Sequence, residues 1–341
     1  MEHFGSTNWR AGGSSHVGPS PLNKEIMINT PMLRSITTAT LIALVGSAQA
    51  NVDPDLPIYE PVSGVSGNLN SIGSDTLNNL MTLWAEGFEA VYPNVNIQIE
   101  GKGSSTAPPA LIEGTAQLGP MSRKMKGSEM DAFEASFGYK PTAVGTAIDA
   151  LAVFVNKDNP IESISAQEVD SVFSNTYRKG GTPITEWNQL GLEGSLGARA
   201  VSLYGRNSAS GTYGFFKKVA LAGGDYSANV KEQPGSSSVV QGIGSDLAGI
   251  GYSGIGYTTS GVKAIQIDGV EPTEENCLNG SYPLARQLFV YVNRDPREPM
   301  DKLTFEFLRF VLSKQGQEVV AKDGYYPLPA PIAAQILDSL R

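Results

Sequence analysis

Histidine is nearly missing from this chain. The only two, His3 and His16, stand near the start of its 341 residues. For everything beyond them, Ser-His-Asp and Cys-His catalysis and His-ligated zinc are excluded, while Lys-, carboxylate- or Arg-based chemistry stays open. Cysteine is as scarce: Cys277 stands alone, so neither an intrachain disulfide nor a Cys-built metal site is expected. No run of Lys or Arg appears, and the net charge is −9 with a pI of about 4.9. Nucleic acid is therefore not an expected partner. The same acidity means that if the chain captures an anion, local donors must do it. Long apolar runs are missing too. Ile36–Val45 is too short to cross a bilayer.

That short run belongs to a leader. From Met32 the chain reads MLRSITTATLIALVGSAQA: a positive start at Arg34, an apolar middle, and the small-x-small end Ala48-Gln49-Ala50. This is an export signal with cleavage expected after Ala50. No cysteine lies near for a lipid anchor, so a soluble, periplasmic mature protein is expected. Residues 1–31 are Gly/Ser-rich and polar, without periodicity. They read as a disordered, non-native extension, with translation expected to begin at Met27 or Met32.

About 290 residues remain, enough for two lobes of ordinary size. Leu77, Leu80, Met81, Trp84, Phe88 and Val91 recur at helical spacing, and Val95, Ile97 and Ile99 alternate as in a strand. Ala147–Val155 is apolar at all but one position and suits a buried strand. Ser165 and Glu168 form a capping box. Leu303–Val320 reads as a long amphipathic helix broken near Gly316. Trp84 and Trp187 are expected in cores, and Cys277 as a bystander thiol. Strands alternating with helices predict an α/β architecture of open mixed sheets flanked by helices. Ligands in such folds sit at strand carboxyl ends, against helix starts.

Four turns fit that position. They are Gly73–Leu77, Gly103–Ala107, Gly119–Lys124 and Gly205–Thr212, the last reading GRNSASGT. Each is small and hydroxyl-bearing, at the edge of an apolar element. One such turn means only a cap; four, two of them carrying arginine, suggest a shared site. A helix start offers unpaired N–H groups and a positive dipole end. Arg206 adds a fork of charged donors matched to an oxyanion.

Taken in order, GSDTL, GKGSSTAP, GPMSRKMK, GRNSASGTYG, GIGYSGIGY and YPLAR resemble the phosphate ABC transporter substrate-binding family, over nearly all of the chain after the leader. The resemblance implies a two-lobed periplasmic binding protein fold with phosphate in the cleft. It implies delivery to the membrane permease and ATPase subunits of an importer, without cofactor, metal or catalysis, and a monomer. The first lobe is expected to span 66–150 and 255–341 and the second 151–254, with crossovers at Ala150–Phe154 and Ile250–Gly256. Carried over, the first lobe supplies the Thr76 hydroxyl, the Leu77 N–H and Ser104, with Ser105 beside it. The second supplies Arg206, Ser210, the Gly211 N–H and Thr212. The best-known branch of the family carries an aspartate in the third turn, where this chain has Ser122 and then Arg123. Asp75 is the nearest candidate to accept the proton that phosphate keeps and sulfate lacks; the alternative is that it only caps its own helix. Arg123 is expected as a second ligand-facing guanidinium, and Arg286 of YPLAR as a structural pair. A phosphate-ester hydrolase and a periplasmic phosphate sensor are the competing readings.

Overall fold

The computed structural model describes residues 51–341; the leader, its cleavage site and the start codon lie outside them. Ten strands follow in chain order: β1 Gly67–Ile72, β2 Val95–Glu100, β3 Gly119–Met121, β4 Thr142–Asn156, β5 Ser163–Ile164, β6 Ser202–Arg206, β7 Lys231–Gln233, β8 Gly249–Gly254, β9 Val262–Ile267 and β10 Ala285–Val292. β4 organises the molecule. Its run of apolar and β-branched residues is buried almost throughout, as a strand covered on both faces must be. Residues 142–150 pair antiparallel with β10. Residues 151–155 pair with β8, and 153–156 with β9.

The first half of β4 therefore belongs to one lobe and the second half to the other. In the first lobe, β10 also pairs with β3, a bridge from Ser71 to Leu118 adds β1, and β1 carries β2 in parallel. In the second, β8 leads to β6 and β7, while β9 carries β5. Each lobe has its own core. Trp84, Phe88, Val290 and Phe307 centre the first, and Phe173, Trp187, Phe216 and Tyr252 the second. Both tryptophans are fully buried, and the indole N–H of Trp84 donates to the Gly316 carbonyl at 2.8 Å.

The expected 254/255 boundary is corrected. β9 pairs with the second half of β4, and Ile265, Ile267, Cys277, Tyr282 and Leu284 pack into the second core. The second crossing therefore lies where Leu284 passes into β10, and not at the glycines of Ile250–Gly256. Those glycines serve packing: a Cβ on Gly251 would lie 2.5 Å from the Tyr204 carbonyl oxygen. The C-terminal helix breaks earlier than expected. Lys302–Val311 and Lys314–Lys322 are separate helices, the second capped by Ser313. Gly316 lies inside the second, where a Cβ would meet the Phe310 carbonyl oxygen at 2.2 Å. The capping box at Ser165 and Glu168 is formed as expected.

Candidate functional site

All four hydroxyl-rich turns sit between a strand and a helix, and they meet where the lobes face each other. From the first lobe come Asp75–Leu77 after β1, Ser104–Thr106 after β2, and Ser122 after β3. From the second come Arg206 at the end of β6 and the helix Gly211–Val219. Close approach is built in. Gly103 takes a positive φ of 116°, and a Cβ there would lie 2.6 Å from the Ala209 carbonyl oxygen across the cleft. The Ser105 N–H donates to that same carbonyl at 3.2 Å.

Four hydroxyls form a chain through this contact. Ser104 Oγ lies 3.3 Å from Ser122 Oγ, Ser122 Oγ 3.5 Å from Thr212 Oγ1, and Thr212 Oγ1 2.9 Å from Thr76 Oγ1. Thr76, Ser104, Ser122 and Thr212 are all buried. Their protons are not free to point anywhere. The Ser122 N–H donates to Ser104 Oγ at 3.0 Å. Ser210 caps its helix, with Oγ accepting from the N–H groups of Thr212 and Tyr213. A hydroxyl that already accepts from an amide has its own proton to give, so Ser104 and Ser210 are set as donors. The Gly211 N–H, first of its helix, has no acceptor within it. The Leu77 side chain is in the first core, which leaves its N–H as its polar group at the turn.

Arg206 is 1% exposed. Its Nη1 donates to Ser236 Oγ at 2.6 Å and its Nη2 to the Pro234 carbonyl at 2.9 Å. Its Nε is buried and has no partner among the described residues. Burial pulls the guanidinium below its ordinary pKa, and Asp75 opposes that. Asp75 does not cap its own helix, whose start has no side-chain cap. Its Oδ2 reaches across the cleft to Arg206 Nη1 at 3.0 Å and accepts from the N–H of Ser236, the first residue of the helix Ser236–Gly244, at 2.8 Å. Its Oδ1 has no protein donor among the described residues. Tyr257 and Tyr325 donate to the Asp75 and Thr76 carbonyls, each at 2.8 Å, and so pin the turn.

Arg123 points elsewhere, which corrects its assignment. Arg123 holds Glu129 with both terminal nitrogens at 2.7 Å and also donates to Ser105 Oγ. Burial pushes the Glu129 carboxyl up, and its bonds from Arg123 and the Lys126 N–H overcome this, leaving it below the usual carboxylate range. The second guanidinium of the cluster is instead Arg286, which donates to Asp149, the Ser122 carbonyl and Thr212 Oγ1. Asp149 was legible only as a lone carboxylate inside the apolar run Ala147–Val155, where an unpartnered charge is not tolerated. A neighbouring cavity of about 450 Å³ is lined by Asp75, Asn79, Gln241, Tyr257 and Asp323, with no Lys or Arg in its wall. With two carboxylates and no cation in its lining, it does not suit an anion.

A family model described as a PBP superfamily domain matches residues 60–315. The phosphate-binding protein PstS of Pseudomonas aeruginosa is 58% identical over 301 residues, covering 86% of this chain and 93% of that protein. A Clostridium perfringens structure, described as a phosphate ABC transporter substrate-binding protein with bound phosphate, is 28% identical with a TM-score of 0.67, covering 77% of this chain and 100% of that one. An ABC-type phosphate transport receptor from Vibrio cholerae shares the fold, with a TM-score of 0.60 at 23% identity, over 76% of this chain and 100% of the receptor.

Proposed function

The chain belongs to the PBP superfamily and, within it, to the phosphate ABC transporter substrate-binding proteins, and we propose that it captures inorganic phosphate by lobe closure for delivery to an ABC-type importer. The observation that carries this reading is the buried Arg206, with an unspent Nε, among hydroxyls that converge from both lobes. An anion entering the cleft loses its water, and each lost hydrogen bond must be replaced. Thr76, Ser104 and Ser122 supply hydroxyls from one side. Arg206, Ser210, the Gly211 N–H and Thr212 answer from the other. On binding, hydroxyl–hydroxyl contacts are exchanged for hydroxyl–oxyanion contacts. Because the donors are split between lobes, only the closed form offers them together, so ligand shifts the population toward closure.

Asp75 is the acceptor in this scheme. Its Oδ1 accepts a hydrogen bond from the protonated oxygen of phosphate, while sulfate meets only like charge there. Ser105 and Arg123 hold the second turn in place and do not touch the ligand. The protein acts without turnover, as a periplasmic monomer, after its leader is removed at Ala50. Permease and ATPase subunits read the closed form. Calorimetric titration of the anion-stripped protein tests the reading: phosphate binds tightly at neutral pH and sulfate does not. An absence of phosphate binding would sink it. Sequencing of the exported protein is expected to begin at Asn51, and deletion of the gene to abolish high-affinity phosphate uptake.

A further inference from the structure

The two strands that cross between the lobes carry one ion pair between them. Asp149 and Arg286 stand opposite each other in the β4–β10 register, just before β4 leaves β10 to pair with β8 at Leu151. Arg286 Nε and Nη2 reach Asp149 Oδ2 at 2.8 and 2.7 Å, and the Ile255 N–H donates to Asp149 Oδ1 at 3.1 Å. The side chains are 2% and 0% exposed. Burying such a pair is costly, and apolar residues of similar size would serve stability as well. Arg286, however, does more than neutralise Asp149. Its Nη1 donates to the Ser122 carbonyl of the first lobe and its Nη2 to Thr212 Oγ1 of the second, both at 3.0 Å. Its guanidinium carbon lies 5.4 Å from the centroid of the Phe215 ring, within reach of a cation–π contact on the same second-lobe helix.

We propose that Arg286 is a positioning residue for anion capture: it sets the Thr212 hydroxyl as a donor and ties that hydroxyl to the hinge. This rests on the phosphate-receptor reading. A guanidinium has donors only, so Thr212 Oγ1 must accept from it, and the Thr212 proton must go to another acceptor. In the cluster Thr76 Oγ1 stands nearest, at 2.9 Å, and Ser122 Oγ next, at 3.5 Å; with phosphate bound the acceptor is a ligand oxygen. Without Arg286 the hydroxyl is free to turn a lone pair toward the anion. The contact is also a report of closure. Arg286 rides on the first-lobe sheet and Thr212 on a second-lobe helix, so the bond exists only when the lobes are together, and its other end is held by both crossing strands.

A double-mutant cycle read by calorimetric phosphate titration tests this, with R286K, T212V and the double variant. Lysine keeps a charge opposite Asp149, but a single ammonium lacks the planar fork that reaches Asp149, Ser122 and Thr212 together. R286K is expected to weaken phosphate binding roughly 10- to 100-fold, the scale of one charge-assisted hydrogen bond. In the T212V background the same change is expected to cost less than about threefold. The neutral pair D149N/R286Q, which removes the buried charges together, should repeat the pattern, and melting of each ligand-free variant shows that it is folded. Equal losses with and without the Thr212 hydroxyl would overturn the inference, because Arg286 would then act independently of Thr212. A wild-type protein that fails to bind phosphate would overturn the receptor reading and this inference with it.

Discussion

Replacing Gly211 with alanine puts a methyl group where the lobes meet. A Cβ there would lie 2.2 Å from Ser104 Oγ, 2.7 Å from Ser122 Oγ and 2.8 Å from Ser104 Cβ. Turning the Ser104 hydroxyl away relieves only the first of these. Carbon atoms pack at about 3.5–4.0 Å, so the lobes must stay about 1 Å further apart at this point. An ångström takes a hydrogen bond of ordinary length beyond its working range. If two donors to the anion are lost, at about 2 kcal/mol each, phosphate affinity falls roughly a thousandfold. The open form meets no such clash. Gly211 lies outside the left-handed region, and alanine suits the first turn of a helix better than glycine by up to about 1 kcal/mol. The ligand-free protein should therefore melt at the same temperature or slightly higher, while the rise in Tm on adding phosphate disappears. Calorimetry and thermal melts with and without phosphate measure both. A Gly211→Ala protein whose phosphate Kd stays within tenfold of the parent would refute the reasoning, because the closed contact would not then be the binding state.

Asp75→Asn keeps the shape of the side chain and removes its charge. Phosphate should weaken by about tenfold or more while sulfate binding appears, and calorimetry that shows unchanged discrimination would remove Asp75 as the acceptor. Arg123→Ala leaves the partly buried Glu129 without its partner, so it should cost about 1.5 kcal/mol in urea unfolding and leave phosphate affinity within about threefold; a hundredfold loss would restore Arg123 as a ligand contact. Asp323 is pushed up to about 6 by burial, opposed by its hydrogen bond from Asn79. Its folded form holds the proton more tightly than the unfolded chain, so its contribution is fully present below about pH 4 and is lost as the pH rises to about 6. Asp323→Asn should accordingly add about 2 kcal/mol of stability at pH 7.5 and almost nothing at pH 4, and equal gains at both pH values would refute the assignment.

Much of the site was legible because its chemistry is local. A strand, a glycine, two or three hydroxyls and a helix start lie within a dozen residues at Gly205–Phe216, and the donors follow from that order alone. Core tryptophans and the Ser165 capping box were legible for the same reason. What escaped was set by pairing over distance. Arg286 meets Asp149 across 137 positions, through a strand register that periodicity does not reveal. β9 returns to the second lobe because the second half of β4 has an open edge for it, which the glycine-rich stretch before it does not announce. Arg123 looked available because it follows an anion-type turn. Glu129, six residues on, claims it from the first turn of the next helix.

The charge balance of the cluster explains how so acidic a chain can hold an anion. Arg206 stands against Asp75 and Arg286 against Asp149, so the closed site is formally neutral. Net attraction, local or long-range, does not select the ligand; oriented protons do. Such donors act over one hydrogen-bond length, and an anion that cannot offer an oxygen to each recovers too little for its lost water. The two pairs differ in one respect. Asp149 and Arg286 lie on adjacent strands of one sheet and stay together when the lobes part. Asp75 and Arg206 lie on opposite lobes, so opening separates them and leaves the Arg206 guanidinium uncompensated on the second lobe. Phosphate then meets a free positive charge first. In the proposed scheme closure brings Asp75 in afterwards, to hold the N–H of Ser236 and accept a hydrogen bond from the protonated ligand. The residue that neutralises the site in the absence of ligand is thus the one that completes it in its presence.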